Sequence, residues 1–412
     1  MPRQPQHAES RALFIVLCAL LIDTIGFGIV IPVMPDLIVA LTHTTLGDAA
    51  RYSGWLMGMF AAMQFLFSPV MGGLGDHFGR RPVLLVCMLA FALDYLVTGL
   101  APTFGWLFVS RAIAGITGAT FVPAAAYIAD ITPPERRAQN FGLIGAAFGL
   151  GFTIGPAIGG LLGSFGPRAP FYVAAALALL NATAMYFFLP ESLKAESRRA
   201  FDLRRANPFG TFRALAKHRE ARPLFVAWFL WMLAHQSYPA VWPFFTKLKF
   251  HWSDHAVGAS LAWAGVTMAL AQGFLTRRLI PRWGERRAIV IGLTIGACGF
   301  LGNALVPFGW MLYVVLALAA LQGLVFPSMN ATLSKLVAAD SQGELQGGVA
   351  SMQSVAAIIG PPVLTHVLAT FSAPAAPVYL PGAPYVLASA LALGALLIVM
   401  TCVRAPVSPA LT

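Results

Sequence analysis

Two carboxylates, Asp23 and Asp94, stand alone in the middle of apolar runs long enough to cross a bilayer, and Arg111 is a cation at comparable depth. An acid at the bilayer centre costs about 2.5 to 3.5 kcal/mol on insertion scales, so such a residue is normally kept for function. The chemistry open to this trio is proton transfer coupled to binding. Burial favours the neutral form of a carboxyl and a nearby cation favours the ionised form, so a moving cation can load and unload a proton. Asp23 and Asp94 are therefore expected to couple protons, with Arg111 as their charge partner. Two plainer roles stay open: a structural hydrogen bond from Asp23 to the broken backbone near Gly26 and Gly28, and a static salt bridge between Asp94 and Arg111.

Uncharged hydrogen-bonding groups accompany the charges. Gln64, Gln272, Gln236 and Asn330, with His235, are expected to line a substrate cavity together with Asp94 and Arg111; Asn303, Gln322 and Gln353 are further candidates. Some such groups only bond across helices, worth around 0.6 kcal/mol each. His235 and His366 are the histidines in membrane windows of the second half, and a lone intramembrane histidine is more often a packing residue than a proton carrier. Trp228, Trp231, Trp242, Phe244 and Phe245 could wall a pocket for a flat aromatic ligand, with an interface-belt role equally open for Trp242.

Composition says what must position these groups. Of 412 residues, 58% are hydrophobic and 10% charged, and the mean hydropathy is +0.74. Those fractions exclude an ordinary soluble chain. Apolar windows fall near 12–33, 54–74, 82–100, 106–128, 141–162 and 169–189, and again near 224–245, 256–279, 288–306, 311–337, 347–371 and 382–403. Each holds the roughly 20 residues that a helical span needs. The first carries Asp23 and Pro32 without a small-residue cleavage site and is expected to be a retained span. Twelve transmembrane helices follow, as an N-terminal bundle (1–189), a cytoplasmic linker (190–223) and a C-terminal bundle (224–412).

The net charge of +11 is a matter of topology rather than of nucleic acid. Arg11, Arg80, Arg81, Arg136, Arg137, Arg277, Arg278, Arg286, Arg287 and the linker's basic residues fall on one side of the spans, whereas Arg51, Arg168, Lys247 and Lys249 fall on the other. This bias predicts both termini in the cytoplasm. Cys18, Cys87, Cys298 and Cys402 lie singly without metal or disulfide spacing and are expected to be packed thiols. A weak repeat joins the halves: Phe78-Gly79-Arg80-Arg81-Pro82 after span two matches Trp283-Gly284-Glu285-Arg286-Arg287 after span eight, and Gly155-Pro156 matches Gly360-Pro361. Paired six-helix halves suit alternating access with a site near the midplane. With short loops and no G-x-x-x-x-G-K-[ST] sequence, energy is expected from an ion gradient rather than from ATP.

The loop Gly72-Gly73-Leu74-Gly75-Asp76-His77-Phe78-Gly79-Arg80-Arg81-Pro82 resembles the signature loop of the major facilitator superfamily. Gly151-Phe152-Thr153-Ile154-Gly155-Pro156-Ala157-Ile158-Gly159-Gly160 in span five looks like that superfamily's antiporter motif, built on Gly151, Gly155, Pro156 and Gly159. A narrower resemblance is to the tetracycline/proton antiporters. It rests on Asp23-Thr24-Ile25-Gly26-Phe27-Gly28 through Pro35, on Gln64, on Leu93-Asp94-Tyr95, on Arg111 with Gly115-Ile116-Thr117-Gly118-Ala119-Thr120, on Ile128-Ala129-Asp130, on Phe250-His251-Trp252 and on Gly343-Glu344-Leu345-Gln346-Gly347.

The resemblance implies an all-α membrane protein of the major facilitator fold that exports an amphiphilic drug in exchange for protons. Asp76, Gly79, Arg80, Arg81 and Asp130 would form a conformational gate, with Arg80 paired to Asp130 and Asp76 facing the start of span eleven near Gly347 and Gly348. Tetracycline would travel as a chelate with a divalent metal such as Mg²⁺, a metal that belongs to the substrate; no metal site or cofactor of the protein's own is expected. The implied setting is the inner membrane of a bacterium, with the chain working as a monomer and no nucleic-acid partner. Two positions depart from the family. Its usual histidine in span eight falls on Met268 and its usual acid in span nine near Gly296. Rival readings are a proton-coupled carrier of another drug or of a metabolite, including an importer, and a receptor or scaffold that does not transport.

Overall fold

The computed structural model describes residues 4–118, 121–201, 221–336 and 342–402, which are helical with no strand among them. The first half runs through α1 (Gln4–Val30), the short α2 (Met34–Thr42), α3 (Leu46–Phe78), α4 (Arg80–Leu100), α5 (Phe104–Thr117), α6 (Phe121–Ile131), α7 (Arg137–Gly163) and α8 (Ala169–Phe188). The second runs through α9 (Arg222–His235), α10 (Ser237–Phe250), α11 (Asp254–Leu270), a π-helical turn (Ala271–Thr276), α12 (Arg277–Trp283), α13 (Glu285–Leu305), α14 (Trp310–Ala319), α15 (Val325–Lys335), α16 (Gln342–Ser372) and α17 (Ala383–Cys402). Of the linker, 202–220 lie outside the described residues, as do Ala119, Thr120 and the Glu344 side chain.

Among the described residues, eleven helices are long and apolar enough to cross a membrane. They cover eleven of the twelve expected windows. The seventh, near 224–245, is helical but interrupted at Gln236 between α9 and α10, each 14 residues long. Pro239 supplies the reason, because it has no amide hydrogen to bond the His235 carbonyl one turn back.

Residue order explains which face each helix buries. On α4, Val86, Leu89, Leu93, Leu96 and Leu100 recur every three or four residues and stay exposed, while Cys87, Met88, Phe91, Asp94 and Tyr95 are buried. An outward apolar stripe suits lipid. Asp94 thus points inward. The turn from α3 to α4 passes through Gly79 at φ +108°, and the equivalent turn from α12 to α13 through Gly284 at φ +77°. Both lie in the left-handed region, where glycine carries no Cβ penalty. Expected packing of all four thiols fails for Cys298 and Cys402, which are exposed.

Compactness divides the chain into two units: Met1–Pro208 with Thr246–Gly265, and Phe209–Phe245 with Val266–Thr412. The hairpin 246–265, which the six-plus-six reading assigns to 224–412, packs within the first unit.

Candidate functional site

In the first unit the inward face of α4 meets α5. The Asp94 carboxylate is buried, its Oδ2 accepting from Arg111 Nη2 and its Oδ1 from the Ser110 hydroxyl. Ser110 has one proton and gives it to Asp94, so Thr98, whose hydroxyl lies 2.8 Å away, donates to Ser110. Arg111 keeps its Nε buried without a hydrogen-bond partner. Breaking a pair of this kind on one side leaves an uncompensated buried charge, worth about 3–5 kcal/mol.

Tyr95, next to Asp94, is within electrostatic reach of Asp23, Arg111 and Asp94. Its hydroxyl lies against Gly26, where an added Cβ would stand 3.4 Å away. The two acids and the cation of the sequence are therefore gathered around one phenol. Among the described residues Asp23 itself has no hydrogen bond or ion pair, so the structural bond to the backbone near Gly26 and Gly28 is not made. Gln64 on α3 donates to the Gly118 carbonyl at 2.9 Å, a bond across helices.

Below this centre, Arg80 opens α4. It bridges Asp76 at 2.5 Å and Asp130 at 3.4 Å. Sequence reading missed Glu191, whose carboxylate accepts from the backbone of Arg80 at 2.9 Å and of Arg81 at 3.3 Å. An acid at a helix N-terminus satisfies orphan amides and complements the dipole. Arg81 donates to the Tyr186 carbonyl at 2.5 Å. The start of the linker docks here too, the Arg199 amide donating to the Asp76 carbonyl at 3.1 Å.

The motif in α7 is a close-contact seam. A Cβ on Gly155 would stand 2.6 Å from the Ile25 carbonyl oxygen and 2.8 Å from Gly28 Cα, and one on Gly159 would strike the Ile29 carbonyl. Gly151 meets Thr24 in the same way, at 2.6 Å. Glycines four apart let α7 lie against the backbone of α1, and Pro156 packs on Gly28.

The second unit holds the remaining expected residues, and they do not converge on one point. His235 lies among rings, 5.9 Å from Trp231 and 5.4 Å from Tyr238 between centroids. Gln236 sits at the break of the seventh span against Gly360. Asn330 accepts from Gln346 at 2.9 Å. Gln272 is exposed in the π-helical turn, and His366 is exposed on α16. Trp242 is buried among Tyr238, Phe245 and Tyr385, which removes the interface-belt role. A neutral cluster emerges instead: Gln322 donates to the Tyr238 hydroxyl at 3.3 Å, with the fully buried Asn303 nearby. Among the described residues no three His, Cys, Asp or Glu side chains are grouped to hold a metal ion.

A model of the Major Facilitator Superfamily matches residues 16–361 and 240–410. A tetracycline resistance protein, class C, of Escherichia coli is 40% identical over 361 residues, covering 88% of this chain and 90% of that protein. The class G protein of Vibrio anguillarum is 37% identical over 343 residues, covering 82% and 86%. The crystal structure of the human organic anion transporter MFSD10 (TETRAN) superposes with a TM-score of 0.70 at 25% identity, over 97% of this chain and 100% of that one. The chain belongs to the Major Facilitator Superfamily. Like its relatives in that superfamily it is an integral membrane transporter of a small molecule, and they are not enzymes.

For this facilitator the structure places both departing positions and accounts for one of them, Gly296. Met268 Sδ lies 3.4 Å from where a Cβ on Gly323 would stand, beside Gln272. At Gly296 a Cβ would lie 2.6 Å from the Trp231 ring and 3.5 Å from Gln322 Oε1, so an indole fills the space that a longer side chain would need. Ser110, Glu191 and Tyr238 are polar groups that sequence reasoning passed over, whereas Gln322 and Asn303 beside Tyr238 are among its candidates. A hydroxyl on an apolar helix and an acid just past a span carry little signal by themselves.

Proposed function

We propose that this transporter exports an amphiphilic drug in exchange for protons by alternating access, and that its first substrate is tetracycline, carried as a chelate with a divalent metal such as Mg²⁺. Support for efflux comes from relatives that are tetracycline resistance proteins over most of both chains. The observation that carries the coupling is the buried Asp94–Arg111 pair with Ser110, gathered with Asp23 around Tyr95.

Asp94 can be neutralised in two ways: by a proton or by a cationic group that competes with Arg111. A proton arriving on Asp94 cancels the charge that holds Arg111 and the cationic substrate, so the substrate leaves. Loss of that proton toward the cytoplasm restores the negative site. Exchange follows from competition for one charge. Asp23, close enough to feel the same charges, is the second proton carrier. Gln64, Gln272, Gln236, His235 and Asn330 orient the uncharged part of the substrate. The Arg80 network with Asp76, Arg81, Asp130 and Gly79 holds the cytoplasmic gate, and the α7 seam excludes protons from an open leak. The protein sits in a bacterial inner membrane as a monomer with both termini cytoplasmic, as the basic loops favour.

The test is tetracycline uptake into everted membrane vesicles under an imposed pH gradient, with and without Mg²⁺. The native protein is expected to accumulate the drug and Asp94→Asn to accumulate none at equal expression. Full accumulation by Asp94→Asn would overturn the coupling; no accumulation by native protein, with other drugs discharging the gradient, would overturn the substrate.

A further inference from the structure

Inside a helix, a serine or threonine hydroxyl either turns to solvent or donates to the carbonyl one turn back on its own helix. Thr24, Thr183, Thr294 and Thr370 take the second course here. Thr98 and Ser110 take neither. Both side chains are buried, and their hydroxyls bond across α4 and α5, Thr98 lying 2.8 Å from Ser110 and Ser110 donating to Asp94 Oδ1. An ionised carboxylate only accepts, so Ser110 spends its one proton on Asp94 and accepts from Thr98. Every proton in this chain is aimed at the acid.

The chain also has a place to start. Thr98 lies close to the end of α4 at Leu100, and Pro102 and Thr103 just beyond it are exposed. At 1.5 Å per residue, Asp94 stands about 9 Å along the helix from that end and Thr98 about 3 Å. The neighbouring backbone acceptors are already taken: Arg168 donates to the Gly99 and Ala101 carbonyls, and Tyr172 to that of Gly99. Asp94 itself is divided between two tasks. Its Oδ2 faces Arg111 and its Oδ1 faces the hydroxyls. Competition between Arg111 and a cationic substrate can therefore take place on one oxygen while a proton arrives on the other.

We propose that Thr98 and Ser110 are a proton relay that loads Asp94 from the end of α4 opposite the Gly79 turn, the outer end when both termini are cytoplasmic. A hydronium ion at that end gives a proton to the Thr98 oxygen, the Thr98 proton passes to Ser110, and the Ser110 proton passes to Asp94 Oδ1. Each hydroxyl loses one O–H bond and gains one. The net change is hydronium and carboxylate to water and carboxylic acid. Once Asp94 has given up its proton elsewhere, rotation of the two hydroxyls aims the relay at the acid again. The relay rests on the proton-exchange reading above, and adds the route by which the proton arrives.

Two variants test it: Thr98→Val keeps the shape of the side chain and removes the hydroxyl, and Thr98→Ser keeps the hydroxyl. Tetracycline uptake driven by an acid lumen is measured in everted vesicles, whose lumen is bounded by the outer face, beside drug-for-drug counterflow, which needs no proton on Asp94. Thr98→Val should slow gradient-driven uptake by about a hundredfold, the low end for loss of a positioned proton-transfer group, and counterflow far less. Thr98→Ser should restore uptake. What uptake Thr98→Val retains should rise with lumenal proton concentration over a range in which the native protein is level, a change that lost packing would not produce. Native-rate uptake by Thr98→Val under a gradient that drives the native protein would overturn the relay alone. So would equal loss of uptake and counterflow that Thr98→Ser fails to restore. Native uptake that ignores the pH gradient would overturn the exchange reading, and the relay with it.

Discussion

The two units handle polarity at membrane depth in opposite ways. In the first, Asp94, Arg111 and Asp23 concentrate charge around Tyr95, with hydroxyls from Ser110 and Thr98 in support. In the second, the polar groups described at similar depth are neutral: Gln322 and Asn303 beside the Tyr238 phenol, set among Trp231, Phe300 and Tyr385. The repeated loops show a related contrast. After Gly79 a cation opens α4 and pairs with Asp130 at the end of α6; after Gly284 an acid, Glu285, opens α13 and pairs with Lys335 at the end of α15 at 2.7 Å. Backbone geometry is thus repeated while charge sign is reversed. Shape is shared between the halves, and chemistry is divided: one holds buried charges, the other neutral polar groups among aromatic rings.

The largest effect that could break this division is expected at Asp94. Asp94→Asn should abolish gradient-driven accumulation and lower stability by about 3–5 kcal/mol, since Arg111 is left buried and unpaired. Adding Arg111→Gln should recover much of the stability, read by thermal unfolding in detergent, and none of the transport. Were Gln322→Leu in the second unit to abolish coupling as completely, the division would be false.

The repeated Gly-Pro pair gives a sharper contrast. A Cβ on Gly155 meets the backbone of α1, whereas one on Gly360 meets the Gln236 side chain at 2.8 Å and Leu233 at 3.4 Å. Backbone cannot yield and side chains can. Gly155→Ala should therefore cost about 1–3 kcal/mol by overpacking, and Gly360→Ala clearly less. On α7 itself, Gly145 has open space around it, so Gly145→Ala should be neutral or slightly stabilising by helix propensity. Equal losses at 155 and 360 would mean that the repeated motifs pack alike.

How much of this was legible follows from the distance between partners. Charges in apolar runs advertise themselves, so Asp94 could be paired with Arg111 from sequence, whereas the pairing of Arg80 with Asp130 came from the resemblance of the loop motif. The spacing of Gly151, Gly155 and Gly159 showed a packing face, though not that α1 would fill it. Ser110 and Glu191 were not legible, because a hydroxyl one residue before Arg111 and an acid just past a span look ordinary until their partners arrive. Lys247 looked like a loop charge because Asp36, its ion-pair partner at 2.7 Å, is remote in sequence. The break at Gln236 was missed for another reason: the window's hydropathy is unaffected by Pro239, which acts only on hydrogen bonding. Gln64 and Asn330, chosen as cavity groups, each spend a hydrogen bond within their unit.

A middle-sized effect is expected at Tyr238. Tyr238→Phe removes the oxygen that accepts from Gln322, whose Oε1 already lacks a partner, so the whole buried amide would be left unsatisfied at about 1–3 kcal/mol. If this side of the molecule reads the neutral part of the ligand, the half-saturating drug concentration should rise while the dependence of transport on the pH gradient stays as in native protein. A changed gradient dependence would place coupling in both units.

The smallest effect is expected where the reversed loop pair is tested. Lys335 is 66% exposed at its side chain and Glu285 21%, against 11% for Arg80 and 26% for Asp130. Solvent-exposed ion pairs contribute about 0–1 kcal/mol because water screens them and long side chains lose freedom in forming them. Lys335→Gln should then change stability by less than about 1 kcal/mol and leave vesicle transport near native. Arg80→Gln removes a cation shared by two acids and should slow transport markedly at similar expression. The comparison turns on burial rather than on the sign of the charge: equal damage from both substitutions would show that the second loop is as much a gate as the first.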